Sequence, residues 1–126
     1  MKVSVRVLLF LGCAVILHAC SFEKPGGAFN PVLPGDSPNP SVTKIGDTYY
    51  ASATSNEWSP LFPIYQADDL NHWELLSYVF PGGAPDWAHQ NFFAPELSYD
   101  EKQEKLYVYY TGRDKLTNKI TIAVAS

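Results

Sequence analysis

Short runs of β-branched and aromatic residues recur along the chain from residue 41 onward, and Gly, Pro, Asn or Asp residues separate them. Runs of this kind bounded by turn formers are typical of β-strands. None of them has convincing spacing for an amphipathic helix. The pattern therefore predicts an all-β fold. The predicted strands cover residues 41–45, 48–54, 62–67, 73–80, 92–99, 105–112 and 119–126.

The connections between these strands are polar. Gly46-Asp47 predicts a tight turn that makes the first two strands a hairpin. Residues 68–72 hold two adjacent acids that could be catalytic, but Asp and Asn between strands more often cap a turn, which is the interpretation we favour. Residues 81–91 form a predicted Gly/Pro loop with Trp87 and His89. A lone His there is usually a hydrogen-bonding residue, so we predict no metal site and no cofactor.

Proline dominates the segment before the first strand. Four prolines lie within residues 30–40. Because proline fixes φ and lacks a backbone donor, this segment is expected to run extended and to be neither helix nor central strand. Asn39 lies between Pro38 and Pro40. The sequence therefore predicts that a stiff backbone presents Asn39.

The first 20 residues have the order of a secretory signal: a positive start, an apolar run over residues 7–17, and then Leu17-His18-Ala19-Cys20. The run is shorter than the about 20 residues that span a bilayer. Its Leu-x-Ala-Cys ending resembles the lipobox of bacterial lipoproteins. We favour a lipoprotein signal over residues 1–19, lipidation at Cys20 and a tether over residues 20–29; ordinary signal cleavage and an uncleaved apolar anchor are the alternatives.

Cleavage before Cys20 changes the charge and the cysteine count. It removes Lys2 and Arg6, so seven of the nine basic residues remain against 13 acidic ones, a net charge of −6. That sign argues against a nucleic-acid partner. Cys13 would be lost and Cys20 modified, which leaves no cysteine for a disulfide, a zinc site or a nucleophile. We therefore expect an exported protein of the bacterial cell envelope, attached to the membrane by a lipid anchor and folded by packing alone.

The strand pattern repeats along the chain. Residues 48–50 and 107–111 look like the same strand about 60 residues apart, and one period holds four strands. Four-stranded antiparallel sheets repeated at this length suggest the blades of a β-propeller, which closes with 4 to 8 blades. Residues 30–126 would hold the first blade and most of the second. We expect a propeller truncated within its second blade; a smaller β-sandwich is the alternative.

Six motifs in a fixed order carry a family resemblance. They are NPVLPGDSPNPS, GDTYY, SNEW, PIYQADDLNHWELL, FFAPEL and KLYVYYTG, and they cover nearly all of residues 30–126. In this order and spacing they closely resemble the N-terminal part of glycoside hydrolase family 43, especially its β-xylosidase and α-L-arabinofuranosidase branch. The resemblance implies a five-bladed propeller that hydrolyses plant-wall xylan or arabinan oligosaccharides and polysaccharides with inversion, using three carboxylates at the central hub.

The resemblance also places the general base of the reaction. An inverting glycosidase needs a carboxylate base and a carboxylic acid about 6.5–9.5 Å apart. The family base is the Asp of a Pro-Asp-Pro-Ser turn, and the residue there in this chain is Asn39. An Asn amide can position a water but cannot accept its proton near neutral pH. Asp36 is not a ready substitute, because family members often carry an Asp at that position together with the base. The resemblance places the other two carboxylates in later blades, and Glu96 matches a position beside the site that is not one of the three.

Four residues are candidate substrate contacts. The family's Thr-Phe-Glu-Trp run is Ser-Asn-Glu-Trp here, so Asn56 replaces a pocket-lining Phe, and the pocket is expected to be more open or to fit another sugar. Phe93 replaces a Trp and can still stack on a sugar ring. Contact and packing are equally open for Trp58, and its loop position favours contact for Trp87. Trp73 is expected to pack within its blade.

Three functions follow from these residues. The leading hypothesis is a glycosidase with an altered base, although activity of the 126-residue chain itself is doubtful. The second is a propeller that binds glycans without cleaving them, for which Asn39 is the direct argument. The third is a purely structural β-domain on a lipoprotein.

Overall fold

All seven predicted strands are present in the computed structural model, which describes residues 30–33 and 35–126. The predicted signal, lipidation site and tether, residues 1–29, lie outside the described residues. Within the described part of the chain, no helix is long and apolar enough to cross a membrane. The strands are β1 (Ser41–Ile45), β2 (Thr48–Ser52), β3 (Leu61–Ala67), β4 (Glu74–Phe80), β5 (Ala88–Asp100), β6 (Lys105–Asp114) and β7 (Ile120–Ala125).

The strands form two antiparallel sheets, and each sheet follows the order of the chain. The first contains β1 to β4 and the second contains β5 to β7. β1 and β2 make the predicted hairpin, in which Ile45 pairs with Thr48. Gly46 in its turn has a φ of 60°, a left-handed conformation that glycine adopts without steric cost. The two sheets are one propeller blade and three strands of the next, as the strand pattern predicts.

The turn between β3 and β4 is capped by its own side chains. Asp69 Oδ1 accepts hydrogen bonds from the backbone N–H groups of Asn71 and His72, both at 2.9 Å. The other carboxylate oxygen lies 2.6 Å from His72 Nδ1. The His72 side chain, followed by these two backbone bonds, lowers the pKa of Asp69 to about 2. The capping interpretation of residues 68–72 is therefore confirmed.

β5 departs most from its prediction. It begins at Ala88, so the prediction of a loop is wrong from that residue onward. Its pairing with β6 changes register three times within its first half, and Asn91 and Ala94 have φ values of 61° and 51°. Pro95 lies in this irregular stretch, where a missing N–H costs no ladder hydrogen bond. Successive bulges kept the strand from showing a regular alternation in the sequence.

The core lies between the two sheets and is largely aromatic. Phe62 of β3 and Tyr110 of β6 are buried with their ring centroids 5.3 Å apart, and Phe80 lies 5.2 Å from the Tyr110 ring. Aromatic pairs at this separation add stability beyond the area that they bury. A second cluster extends the core outward, and its members are Ile64, Leu97 and Val108.

The first strands of the two sheets, β1 and β5, lie against each other. The backbone N–H of Leu97 donates a 3.0 Å hydrogen bond to the buried Ser41 hydroxyl. This bond joins residues 56 positions apart in sequence. It holds the start of β1, and with it the proline turn that precedes β1, against the second sheet.

One face of β7 is apolar and uncovered. Ile120, Ile122 and Val124 alternate along the strand and are 55%, 76% and 53% exposed. On the opposite face, Ala123 and Ala125 pack against the core. Among the described residues β7 pairs with β6 alone. An open strand edge with apolar side chains is a surface on which further β-structure can pair.

Candidate functional site

Three chain segments are hydrogen-bonded to one another at one end of the two sheets. They are the proline turn of residues 36–40, the loop of residues 54–58 after β2, and the bulged stretch of residues 91–94 in β5. We call these three segments the rim. The rim contains four of the predicted site residues, which are Asn39, Asn56, Trp58 and Phe93.

Asn39 is exposed in the proline turn, with a φ of 50°. Asn adopts this left-handed conformation more readily than most residues. The backbone on both sides is held, since the carbonyl of Pro38 accepts a 3.0 Å hydrogen bond from Thr54 N and Ser41 is bonded to Leu97. The turn is thus held rigidly, as the sequence predicts. The Asn39 side chain offers an amide that can orient a water but cannot take a proton.

Thr54 joins all three rim segments. It is only 3% exposed, and its backbone N–H reaches the proline turn. Its hydroxyl oxygen accepts a 2.9 Å hydrogen bond from the backbone N–H of Ala94. This part-buried hydrogen bond links the loop after β2 to the bulged stretch of β5 and stabilises the left-handed conformation of Ala94. Sequence analysis missed Thr54, because a Thr at the end of a strand gives no signal for a partner 40 residues away.

A second tie joins Asn56 to Asp36. The Asn56 amide donates a short hydrogen bond to Asp36 Oδ2, and both side chains are exposed. Asn56 therefore does not form an apolar wall at this position, in keeping with the sequence. Instead it orients a carboxylate that lies three residues before Asn39. The Asn56 φ of 48° and the Glu57 φ of 67° give the loop its sharp bend.

Glu57 makes the third tie, to the second sheet. Its carboxylate accepts a short hydrogen bond from the backbone N–H of Asn91. The Asn91 side chain accepts a 2.6 Å hydrogen bond from Arg113 Nε, and Arg113 also donates to the carbonyl of Asn118 at 2.8 Å. Glu57 and Arg113 thus hold Asn91 from two sides. Neither was a candidate in the sequence, because the contact spans 34 residues.

Phe93 is held by the same stretch of backbone. The Thr111 hydroxyl lies 3.0 Å from the carbonyl of Asn91 and 3.3 Å from that of Phe93, and its single proton is within hydrogen-bonding reach of both. The Phe93 ring is half-buried, so one part of it packs and another part remains accessible. A fixed, partly exposed aromatic ring is suited to stacking on the apolar face of a sugar.

The tryptophans occupy different environments. Trp58 is 78% exposed on the rim loop. Trp87 packs against the core, where its indole N–H donates a 3.3 Å hydrogen bond to the Tyr110 hydroxyl. It also lies so close to Gly112 that a Cβ there would come within 2.6 Å of the indole. This placement favours packing for Trp87, and its role as a sugar contact stays a prediction without structural support. Trp73 donates to the carbonyl of Leu70 at 3.0 Å.

A larger cleft than those lined by rim residues lies at the β3–β4 turn. It has a volume of about 460 Å³ and surrounds the β3–β4 turn with Thr48, Gln66 and Asp69. It shares no residue with the rim, and Asp69 in it is engaged in capping the turn. No group of His, Cys, Asp or Glu within the described ranges could hold a metal ion. The rim is therefore the better candidate site, and its chemistry rests on amide, carboxylate and aromatic groups.

Comparison with known proteins identifies the family of the chain. Residues 28–126 match the family described as glycosyl hydrolases family 43. Xylosidase/arabinosidase 43B of Humicola insolens is 36% identical over 89 residues, which are 65% of this chain and 16% of that protein. The non-reducing end α-L-arabinofuranosidase BoGH43B of Bacteroides ovatus is 33% identical over 79 residues, 63% of this chain and 15% of the relative.

A solved structure shows the same fold. The crystal structure of xylan β-1,4-xylosidase from Bacillus halodurans C-125 superposes with a TM-score of 0.65 at 28% identity, over 78% of this chain and 20% of that one. The chain thus spans about a sixth of the length of the curated relatives that it matches. Its sheets correspond to part of a family 43 propeller. With the family match covering residues 28–126, the chain belongs to glycosyl hydrolases family 43.

Proposed function

We propose that this chain supplies the first blade and most of the second to a five-bladed glycosidase that acts on xylo- or arabino-configured plant-wall oligosaccharides. The names of its relatives support the substrate class, since they include a xylosidase/arabinosidase and an α-L-arabinofuranosidase. The observation that carries the proposal is the rim. Its hydrogen bonds bring the turn of Asn39 and the strand of Phe93 to one end of the sheets, where a substrate would meet both.

The proposed reaction is hydrolysis with inversion. A base removes a proton from water as it attacks the anomeric carbon, and an acid protonates the leaving oxygen. Asn39 holds the position that the family resemblance gives to the base, and its amide can orient the attacking water but not deprotonate it. Asp36 is the first substitute to test. Its carboxylate lies three residues away and is oriented by Asn56.

The polar Asn56 changes the proposed sugar pocket. A Phe at this position would give the pocket an apolar wall, whereas Asn56 is exposed and bonded to Asp36. A carboxylate and an amide offer acceptors and donors to sugar hydroxyls. Phe93 remains as the aromatic surface. The pocket is therefore expected to be more open, or to take a sugar with a hydroxyl directed at residue 56.

The second candidate function is glycan binding without cleavage. A single observation favours it, namely that residue 39 of the rim is an amide. Removing a general base typically costs about 10²–10⁴-fold in rate, which would leave binding intact but turnover slow. The rim contacts of Phe93 and Asn56 would serve a binding protein equally well.

Hydrolysis and its stereochemistry distinguish these functions. The assay uses a closed version of the protein, by which we mean this chain followed by the blades that complete a family 43 propeller. Aryl β-xylosides and aryl α-L-arabinofuranosides are the substrates, and NMR identifies the first sugar anomer released. Release of the inverted anomer above the rate of a buffer control supports the glycosidase. Saturable binding of xylo-oligosaccharide with no release above that control would replace it with the binding function.

We also propose that the protein is exported and lipid-anchored in a bacterial cell envelope. The support is the order of a positive start, an apolar run and Leu17-His18-Ala19-Cys20. In a bacterial host, a Cys20→Ala variant should lose incorporation of labelled fatty acid and leave the membrane fraction. A Cys13→Ala variant is the matched control and should remain labelled. Labelling that survives Cys20→Ala would refute the proposed lipid anchor.

A further inference from the structure

A small cleft is built partly from residues of the rim. It has a volume of about 290 Å³, and Trp58, Tyr65 and Tyr78 give it aromatic walls. Trp58 belongs to the rim, and so do other lining residues, namely Asp36, Ser37, Thr54 and Ser55. Asn39 and Phe93 do not line it. The cleft is therefore a neighbour of the position that the resemblance assigns to the base, and a separate space.

The size of the cleft limits what it can hold. Sites for small molecules usually enclose about 300–1,000 Å³, so this cleft is at the lower end of that range. A single ring, or one residue of a longer chain that continues into solvent, fits such a volume. The cleft opens at the surface, which permits a polymer to enter and leave it.

Trp58 makes the cleft unusual. It is 78% exposed, whereas the indole N–H groups of Trp73 and Trp87 donate hydrogen bonds to other groups of the protein. An exposed Trp beside a cleft offers a large apolar face on which a sugar ring can stack. Trp58 is nevertheless restrained, since its backbone N–H donates a 2.9 Å hydrogen bond to the carbonyl of Ser55. The ring is attached to a fixed loop rather than to a free end.

The polar groups of the cleft suit hydroxyl recognition. The Asp36 carboxylate is an acceptor for sugar hydroxyls, and the bond from Asn56 restrains one of its oxygens. Burial raises the pKa of the Tyr65 phenol, and the electrostatic effect of Tyr78 raises it further. The phenol therefore stays protonated near neutral pH and can donate a hydrogen bond. Aromatic faces with hydroxyl acceptors and donors at their edges match the amphipathic faces and edges of a sugar ring.

We propose that this cleft is a second sugar subsite. It binds one uncharged sugar unit of the glycan chain, next to the unit held beside Asn39 and Phe93. Trp58 stacks on the ring of this sugar, and Asp36 accepts hydrogen bonds from its hydroxyls. The subsite deepens the proposed function and rests on it for the substrate class. Asp36 is the charged side chain that lines the cleft, so a uronic acid residue would bring a like charge against it. The subsite is thereby selective for neutral xylan or arabinan segments over glucuronate-bearing ones.

Affinity electrophoresis of the full-length protein tests the subsite, with soluble neutral arabinoxylan or glucuronate-bearing xylan in the gel. We expect retardation by neutral arabinoxylan, and about tenfold weaker binding for Trp58→Ala, the size of effect typical of a stacked aromatic anchor. Trp73→Phe is the matched control, since it changes a tryptophan of the same sheet that does not line the cleft, and it should bind as the parent does.

A separate variant tests whether the Asp36 charge selects against glucuronate-bearing xylan. Asp36→Asn keeps the shape and the acceptor oxygen but removes the charge, so it should bring binding of the glucuronate-bearing xylan up toward that of the neutral one. Tyr78→Phe, which keeps the ring, should weaken binding by a smaller factor than Trp58→Ala. Parent-like retardation of Trp58→Ala, or no retardation of the parent by neutral arabinoxylan, overturns the subsite.

The outcome is separable from that of the proposed glycosidase. Aryl glycosides carry one sugar ring and test the position beside Asn39 and Phe93 without the cleft. Retardation that depends on Trp58 in a protein that hydrolyses nothing refutes the glycosidase and keeps the subsite. Hydrolysis by a protein whose Trp58→Ala variant is retarded like the parent keeps the glycosidase and refutes the subsite.

Discussion

The β3–β4 turn and the rim are both held by side-chain hydrogen bonds, but those bonds span different distances along the chain. In the turn, Asp69 binds groups two and three residues away. In the rim, the bonds from Asn56, Asn91 and Ala94 reach partners 20, 34 and 40 residues away. The turn can form as soon as its own residues meet, whereas the rim exists only when both sheets are folded and packed.

This difference has a functional meaning. A local turn needs only to reverse the chain, and its side chains are used up in doing so. The rim instead orders side chains from two sheets around one space, which is how a rigid scaffold positions binding groups. Polar residues whose bonds cross between sheets are therefore better functional candidates than polar residues whose bonds are local.

The largest expected effect on stability comes from removing the hydroxyl of Thr54, the residue that joins the rim segments. Thr54→Val keeps the shape of the side chain but removes the acceptor of a part-buried hydrogen bond from the N–H of Ala94, which should lower the unfolding free energy by about 1–1.5 kcal/mol. Chemical denaturation of the full-length protein measures this. Thr121→Val, at an exposed position in β7, is the matched control and should change little. Equal effects at the two positions would mean that Thr54 does not act as a joint.

A smaller effect is expected at the tie to the second sheet. Glu57→Gln keeps an acceptor for the N–H of Asn91 but removes the charge, and a charged acceptor strengthens a hydrogen bond. We expect a loss of about 1 kcal/mol and faster hydrogen exchange at the Asn91 amide. Glu104→Gln, in the exposed turn between β5 and β6, is the control. Unchanged exchange at Asn91 would show that this tie does not restrain the strand of Phe93.

The smallest effect is expected in the local turn, and it depends on pH. Since the folded pKa of Asp69 is lowered to about 2, its contribution is present above its ordinary pKa of 3.8 and is lost as pH falls from about 4 toward 2. Carboxyl-carbon NMR should show Asp69 titrating near 2, and Asp69→Asn should remove the matching part of the acid sensitivity. Titration of Asp69 near 3.8 would show that the turn does not hold its carboxylate.

The same contrast explains how much the sequence could predict. The hairpin at Gly46 and the capped turn at Asp69 are encoded by neighbouring residues, so strand order and turns were predictable. The start of β5 was not, because the bulges at Asn91 and Ala94 follow from contacts with β6, Thr54 and Glu57. Tertiary contacts override local pattern at such positions.

The candidate site was predictable in its residue types but not in its ties. Asn39, Asn56, Trp58 and Phe93 were found through family motifs, and the structure brings their segments together. Their supports Thr54 and Glu57 gave no sequence signal, since a partner dozens of residues away leaves no periodic trace. Trp87 was placed by its loop context alone, which does not report the packing against Tyr110 and Gly112.

The central claim is that residue 39 stands where an inverting glycosidase carries its base. Steady-state hydrolysis of an aryl xyloside or arabinofuranoside by the closed version, with and without Asn39→Asp, tests it most directly. Supplying the carboxylate should raise kcat/KM on one of these substrates by about 10²–10⁴-fold. Asn118→Asp is the matched control, since Asn118 is also exposed with a positive φ of 56°, and it should leave the rate unchanged. A closed Asn39 protein that already turns over rapidly and gains nothing from Asp at 39 would contradict the claim and point to Asp36 as the base.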